Sequence, residues 1–133
     1  MQAIRHLFTS FILLALLVGI LPPAFAQGHT AVEKRVRLSS GKTKSLRGKA
    51  DSSTSYVYKL RAEKDRRLEA RVSSEGGTAT FSIVPPGTQT MENAAGVKEW
   101  AGVLPETGEY SIVVTMNTSG DAEIPYTLEL TIR

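Results

Sequence analysis

The chain has 133 residues, with 16 Lys or Arg against 13 Asp or Glu and a hydrophobic fraction of 41%, which gives room for one compact core and not two. Its formal net charge is only +3 and it contains no cysteine. That absence excludes a disulfide scaffold, a thiolate zinc site, a cysteine nucleophile and lipid attachment through an N-terminal cysteine.

In chain order, residues 1–26 combine Arg5, the apolar run 11–21 and the small-residue ending Ala24-Phe25-Ala26. An apolar helix of about 11 residues rises only about 16 Å, half a bilayer, so the segment reads as a signal peptide cleaved after Ala26 and not as an uncleaved anchor. The mature protein is therefore expected outside the cytoplasm, secreted or periplasmic, with no stable membrane span after cleavage. Residues 27–31 are expected to be a flexible start and 32–133 the folded domain.

Within that domain hydrophobic residues recur every second position, the period of a strand with one buried face. Val36 and Leu38 begin a short strand, and a weak one lies around Leu46. Tyr56, Tyr58, Leu60 and Ala62 line the next. After the charged turn Glu63-Lys64-Asp65-Arg66 come Leu68, Ala70 and Val72, and after Glu75-Gly76-Gly77 come Ala79, Phe81 and Ile83. A stretch holding Pro85, Pro86 and Gly87 and running to Val97 reads as a surface crossover, because its prolines remove ladder donors and Ala94-Ala95-Gly96 offer little to bury. A weak strand from Trp100 to Leu104, a strong one carrying Tyr110, Ile112, Val114 and Met116, and a last one carrying Tyr126, Leu128, Leu130 and Ile132 complete the chain. Seven or eight such strands with Gly, Pro and Ser turns predict an all-β fold, a two-sheet antiparallel sandwich of jelly-roll-like form.

Charge is unevenly distributed. Residues 34–71 hold 13 cations against four acids, whereas 72–133 hold two against eight. A basic half could attract a polyanion, but an export leader removes the protein from cytoplasmic nucleic acid. The expectation is cross-strand pairing of early cations with late acids and no nucleic-acid partner.

Leu104-Pro105-Glu106-Thr107-Gly108 matches the sortase recognition pattern, yet an alternating strand follows it directly, where a sorted tail would carry a long apolar span. It reads as a turn, with Pro105 presetting its own φ and Gly108 free to take a positive one. Trp100, Gly102, Leu104, Pro105, Gly108 and Tyr110 form a structural corner around that turn, and the alternation Trp100, Gly102, Leu104 points the indole toward the core.

With Tyr58-Lys59-Leu60-Arg61-Ala62, Leu68-Glu69-Ala70-Arg71-Val72, Phe81-Ser82-Ile83, Pro86-Gly87, the 100–110 corner and Tyr126-Thr127-Leu128, the chain from Val36 to Arg133 resembles the bacterial pre-peptidase C-terminal domain family. The resemblance implies a secreted β-sandwich without catalytic residues. More narrowly, the run from Tyr58 to Gly76 is similar to the periplasmic inhibitors of goose-type lysozyme. That likeness implies a partner gripped by polar side chains on a rigid turn, with Ser73, Ser74, Glu75 and Gly76 as the contact residues. The chain departs from those inhibitors at 117–123, which is acidic and holds no arginine.

Catalysis has little support. The mature chain has one histidine, His29, in its expected loose start, and neither a Gly-x-Ser-x-Gly elbow nor a His-Glu-x-x-His helix. Glu99, Glu106 and Glu109 are the acids a glycosidase could pair. Asp51, Glu75, Glu92, Asn93 and Asp121 are oxygen donors without the spacing of a calcium loop. No cofactor or metal is expected, and Asn117-Thr118-Ser119 reads as hairpin polarity. The sequence thus predicts a non-catalytic exported binding domain acting through loops at one end of the sandwich, 73–77, 85–97 and 117–123. Its partner would be a protein, a lysozyme as the resemblance implies, or a cell-envelope glycan; a glycan-binding module would need Trp100 exposed.

Overall fold

The computed structural model describes residues 29–87, 90–120 and 122–133, so the expected leader lies outside the described residues. Eight strands occur among the described residues: β1 Thr30–Val36, β2 Thr43–Ala50, β3 Thr54–Ala62, β4 Arg67–Ser74, β5 Ala79–Val84, β6 Glu99–Val103, β7 Gly108–Met116 and β8 Ile124–Ile132. They form two four-stranded sheets, ordered β1-β3-β7-β5 and β2-β8-β4-β6. Every pairing is antiparallel except that of β1 with β3, which is parallel.

The alternating positions face one another across the sandwich. Tyr58, Leu60, Leu68, Phe81, Ile83, Tyr110, Ile112, Val114, Leu128 and Leu130 are all 2% exposed or less. Each such aliphatic or aromatic side chain contributes about 1.5–3 kcal/mol by leaving water, so packing alone can hold the fold without a sulfur bridge.

Register defines two ends. Ala62 lies beside Gly108 and Leu68 beside Ile132 at the upper end. Met116 lies beside Ala79, Ser74 beside Tyr126 and Ala50 beside Ile124 at the lower end.

Three features depart from the sequence expectation. Val36 ends β1 where a strand carrying Val36 and Leu38 is expected to begin, and Leu38 lies in the connection to β2, packed against the core. β1 begins at Thr30, inside the stretch expected to be a loose start, because Thr30 and Ala31 pair with Thr54 and Ser55. The crossover is also more than a surface loop. Val97 exchanges both backbone bonds with Phe81 (2.8 and 2.9 Å), Ile83 donates to the Ala94 carbonyl (2.9 Å) and Met91 donates to that of Ile83 (2.9 Å). Residues 91–97 therefore sit along the edge of β5, satisfying groups that would otherwise be free to pair with another chain. Ala94 is fully buried, while Met91 and Val97 pack on the core; the small size of Ala94 permits this close approach.

At the upper end the Leu-Pro-Glu-Thr-Gly segment is a tied turn. Leu104 is fully buried, its N–H donates to the Arg66 carbonyl (2.8 Å) and its carbonyl accepts from the Asp65 N–H (2.9 Å). The Lys64 N–H donates to Thr107 Oγ1 (2.8 Å). The Tyr110 hydroxyl donates to the Glu106 carbonyl (2.5 Å) and accepts from the Glu106 N–H (3.1 Å), a tyrosine corner locking the turn to the strand that follows it. Pro105 is exposed on the turn, and Pro86 packs so closely on Gly108 that a Cβ there would come within 2.7 Å of it.

Candidate functional site

The lower end is built from short connections that bind one another. Gly76 and Gly77 take φ values of 71° and 65°, a left-handed pair that turns the chain sharply after β4 and that side-chain-bearing residues rarely adopt. Ser74 Oγ accepts the Ala79 N–H (2.9 Å), closing that turn, so its hydroxyl is already engaged. The Asn117 N–H donates to the Thr78 carbonyl (2.9 Å), and Ser52 Oγ donates to that of Gly120 (3.1 Å). The Asp51 carboxylate accepts from Ser53 Oγ (2.7 Å) and Ser53 N–H (2.9 Å). These bonds, the hydroxyl's first, hold its pKa below the ordinary value.

Against this rigid end, the outer face of the second sheet forms an open groove of about 750 Å³. Arg47 of β2, Thr127 of β8 and Ser73 of β4 stand in one cross-strand row, with Lys49 and Pro125 forming the next. Glu75 lies at the margin. Neighbouring strands lie about 4.8 Å apart, so the row from Arg47 to Ser73 spans roughly 10 Å. The groove thus offers two cations, two hydroxyls, a carboxylate and the apolar ring of Pro125.

The tyrosines beneath make this floor stiff. Tyr126 faces inward from the middle of the groove, and its hydroxyl lies 2.5 Å from that of Tyr58. Its ring meets that of Tyr56 at 5.6 Å between centroids and 58°. Gly48 makes room for it: a Cβ there would come within 2.5 Å of the Tyr126 hydroxyl oxygen. Burial pushes the hydroxyl pKa values of both Tyr58 and Tyr126 up, keeping the pair neutral under the groove.

Of the residues singled out from sequence, Ser73, Ser74 and Glu75 border this groove, and Gly76 shapes the turn beside it. Arg47, Lys49, Pro125 and Thr127 are added by the fold. Sequence reasoning missed them because β2 and β8 are separated by most of the chain and only register makes them neighbours. The three expected loops do not all share one end. The crossover starts at the upper end, where Pro86 meets Gly108, and reaches the lower end only at Lys98, near Gly77.

The remaining candidates are dispersed. Glu99 pairs with Arg71 (2.8 Å), whereas Glu109 pairs with Arg35 (3.2 Å) and Lys59 (3.8 Å); Glu106 belongs to the upper corner. Three early cations therefore meet late acids as expected, but Arg37, Lys42, Lys44, Arg47 and Lys49 have no ion pair among the described residues. Asp121 lies outside the described residues, and no cluster of three or more His, Cys, Asp or Glu occurs within them. His29 meets the Ser55 hydroxyl beside β3.

Trp100 is half-buried and not fully in the core. β6 is an edge strand, so one side of the indole has no neighbouring strand. The ring lies over Gly102, where a Cβ would come within 2.7 Å of it.

No protein-family model matches the sequence, and no curated protein matches it by sequence. Solved structures do share the fold. The periplasmic inhibitor of g-type lysozyme PliG from Aeromonas hydrophila superposes with a TM-score of 0.68 at 21% identity, covering 78% of this chain and 98% of that one. PliG from Salmonella Typhimurium gives 0.60 at 17%, covering 76% and 97%. The pre-peptidase C-terminal domain of Bacillus anthracis collagenase gives 0.53 at 14%, covering 77% and 96%.

Proposed function

We propose that the protein is an exported, non-catalytic binding module whose contact surface is the groove of Arg47, Lys49, Ser73, Glu75, Pro125 and Thr127. The observation that carries this is the groove's composition. It holds charged and polar side chains of both signs around an apolar ring, on a floor fixed by strand ladders and buried phenols. A preorganised surface of that kind suits recognition, since little ordering entropy is lost on binding. The leader pattern in residues 1–26 supports export.

The partner we propose is a goose-type lysozyme, met in the periplasm. Support comes from the fold shared with proteins named as inhibitors of that enzyme over nearly their whole length. Ser73 and Glu75 also border the groove, beside the cations that 117–123 lacks. The test is the rate at which goose-type lysozyme clears suspended cell walls. A molar excess of purified mature protein should abolish clearing, and an unchanged rate at a hundredfold excess would overturn the lysozyme reading. Capture of a different envelope protein, lost on groove substitution, would leave the binding module standing with another partner.

A further inference from the structure

The free edge of β2 is a second surface with its own chemistry. Among the four sheet edges, β5 is covered by residues 91–97 and β6 spans only five residues. β1 carries Glu33, and its Arg35 is paired with Glu109. β2 is eight residues long, pairs only with β8, and makes no other backbone hydrogen bond among the described residues. Its outward-facing N–H and C=O groups form a template for an incoming strand.

The side chains along this edge define what can use it. Residues 34–50 contain seven cations and no acid, and Lys42, Lys44, Arg47 and Lys49, in or beside β2, are outside every ion pair among the described residues. A second copy of β2 would set cation against cation, so the edge resists self-pairing. An acidic strand reverses that sign. The two faces differ as well. Arg47 and Lys49 stand on the outer face in register with Thr127 and Pro125, whereas Leu46 stands on the inner face in register with Leu128. Leu46 is only half-buried at the flank of the core.

From this we infer that the β2 edge binds an extended peptide segment whose acidic side chains alternate with apolar ones, added as a further strand of the β2-β8-β4-β6 sheet. Main-chain bonds would supply affinity, acids opposite Arg47 and Lys49 orientation, and apolar side chains would cover Leu46. The site shares Arg47 and Lys49 with the groove but is defined by the unpaired β2 backbone, which the groove does not use, so the inference does not rest on the lysozyme reading.

The probe is a fluorescein-labelled octapeptide of alternating Glu and Val, titrated with the mature protein and followed by anisotropy. Amide hydrogen exchange across residues 43–50 is measured with and without peptide. The inference expects saturable binding, slowed exchange in β2, and affinity weakened about tenfold or more between 0.05 and 0.5 M salt. A central proline in the peptide should weaken binding similarly by removing a ladder donor. Lys42→Glu combined with Lys44→Glu, two exposed positions outside the groove, should also weaken it by reversing charge along the edge, Lys44 standing on the Leu46 side in register with Leu130, while leaving the thermal midpoint unchanged. The inference is overturned by no saturable binding at millimolar protein, or by binding without slowed β2 exchange. It is equally overturned if the proline peptide or an anionic polysaccharide binds as tightly, since the edge would then be only a polyanion patch.

Discussion

Replacing Tyr110 with phenylalanine isolates the upper corner from the core beneath it. The ring is fully buried and would stay so; only the hydroxyl is lost. That group makes two bonds to the Glu106 backbone, donating at 2.5 Å and accepting at 3.1 Å. At about 0.5–1.5 kcal/mol net for each, Tyr110→Phe should cost about 1–3 kcal/mol. Tyr110→Ala removes the ring as well and should cost a further ~3–5 kcal/mol, most of what a domain of this size has to spare. Urea unfolding read by the fluorescence of Trp100, the only tryptophan, and by far-ultraviolet circular dichroism gives both values from one experiment. A thermal scan should show a loss of about 4–8 °C per kcal/mol. A Tyr110→Phe cost below about 0.3 kcal/mol would mean the corner bonds are replaced by water at no loss, and the reasoning would fail.

Other predictions follow from the same contacts. Burial raises the pKa values of Tyr58, Tyr110 and Tyr126 above the ordinary 10, so stability should be full below pH 10 and fall above it as the unfolded chain ionises first. Urea midpoints at pH 8, 10 and 11 check this, and a midpoint rising with pH would contradict it. Gly48→Ala should cost about 1–3 kcal/mol, because the new methyl must displace the Tyr126 ring; a neutral thermal midpoint would refute the close approach. Sortase should leave the Leu-Pro-Glu-Thr-Gly segment uncut in the native protein and cut it once urea unfolds the chain. Native cleavage as fast as that of a free peptide would show that Leu104 is not held.

β3, β4, β5, β7 and β8 were legible because each buries one face, and that constraint writes itself into residues such as Tyr58, Leu60 and Ala62 as a two-residue rhythm; β6, with no buried residue, gave only a weak signal. β1 carried no such signal. Its residues are mostly exposed, so Thr30 and Ala31 looked like the end of a loose tail. Ala94 was missed for a related reason: a small side chain gives no hydrophobic mark, and its burial depends on a tertiary fit along the β5 edge. Ser73 and Glu75 could be read as candidates from the turn that follows them. Arg47 and Lys49 could not, because they reach the groove through the β2-β8-β4 strand order, and long-range register leaves no trace in local spacing.

The most direct test of the binding account is a titration of goose-type lysozyme against the intact protein and against a variant carrying Arg47→Glu and Ser73→Asp, with residual cell-wall clearing as the readout. Both substitutions are exposed and should leave the thermal midpoint unchanged. The intact protein should inhibit saturably, and the variant should need at least about tenfold more protein, the equivalent of ~1.4 kcal/mol lost at a central contact. Equal inhibition by both would contradict the groove as the contact surface.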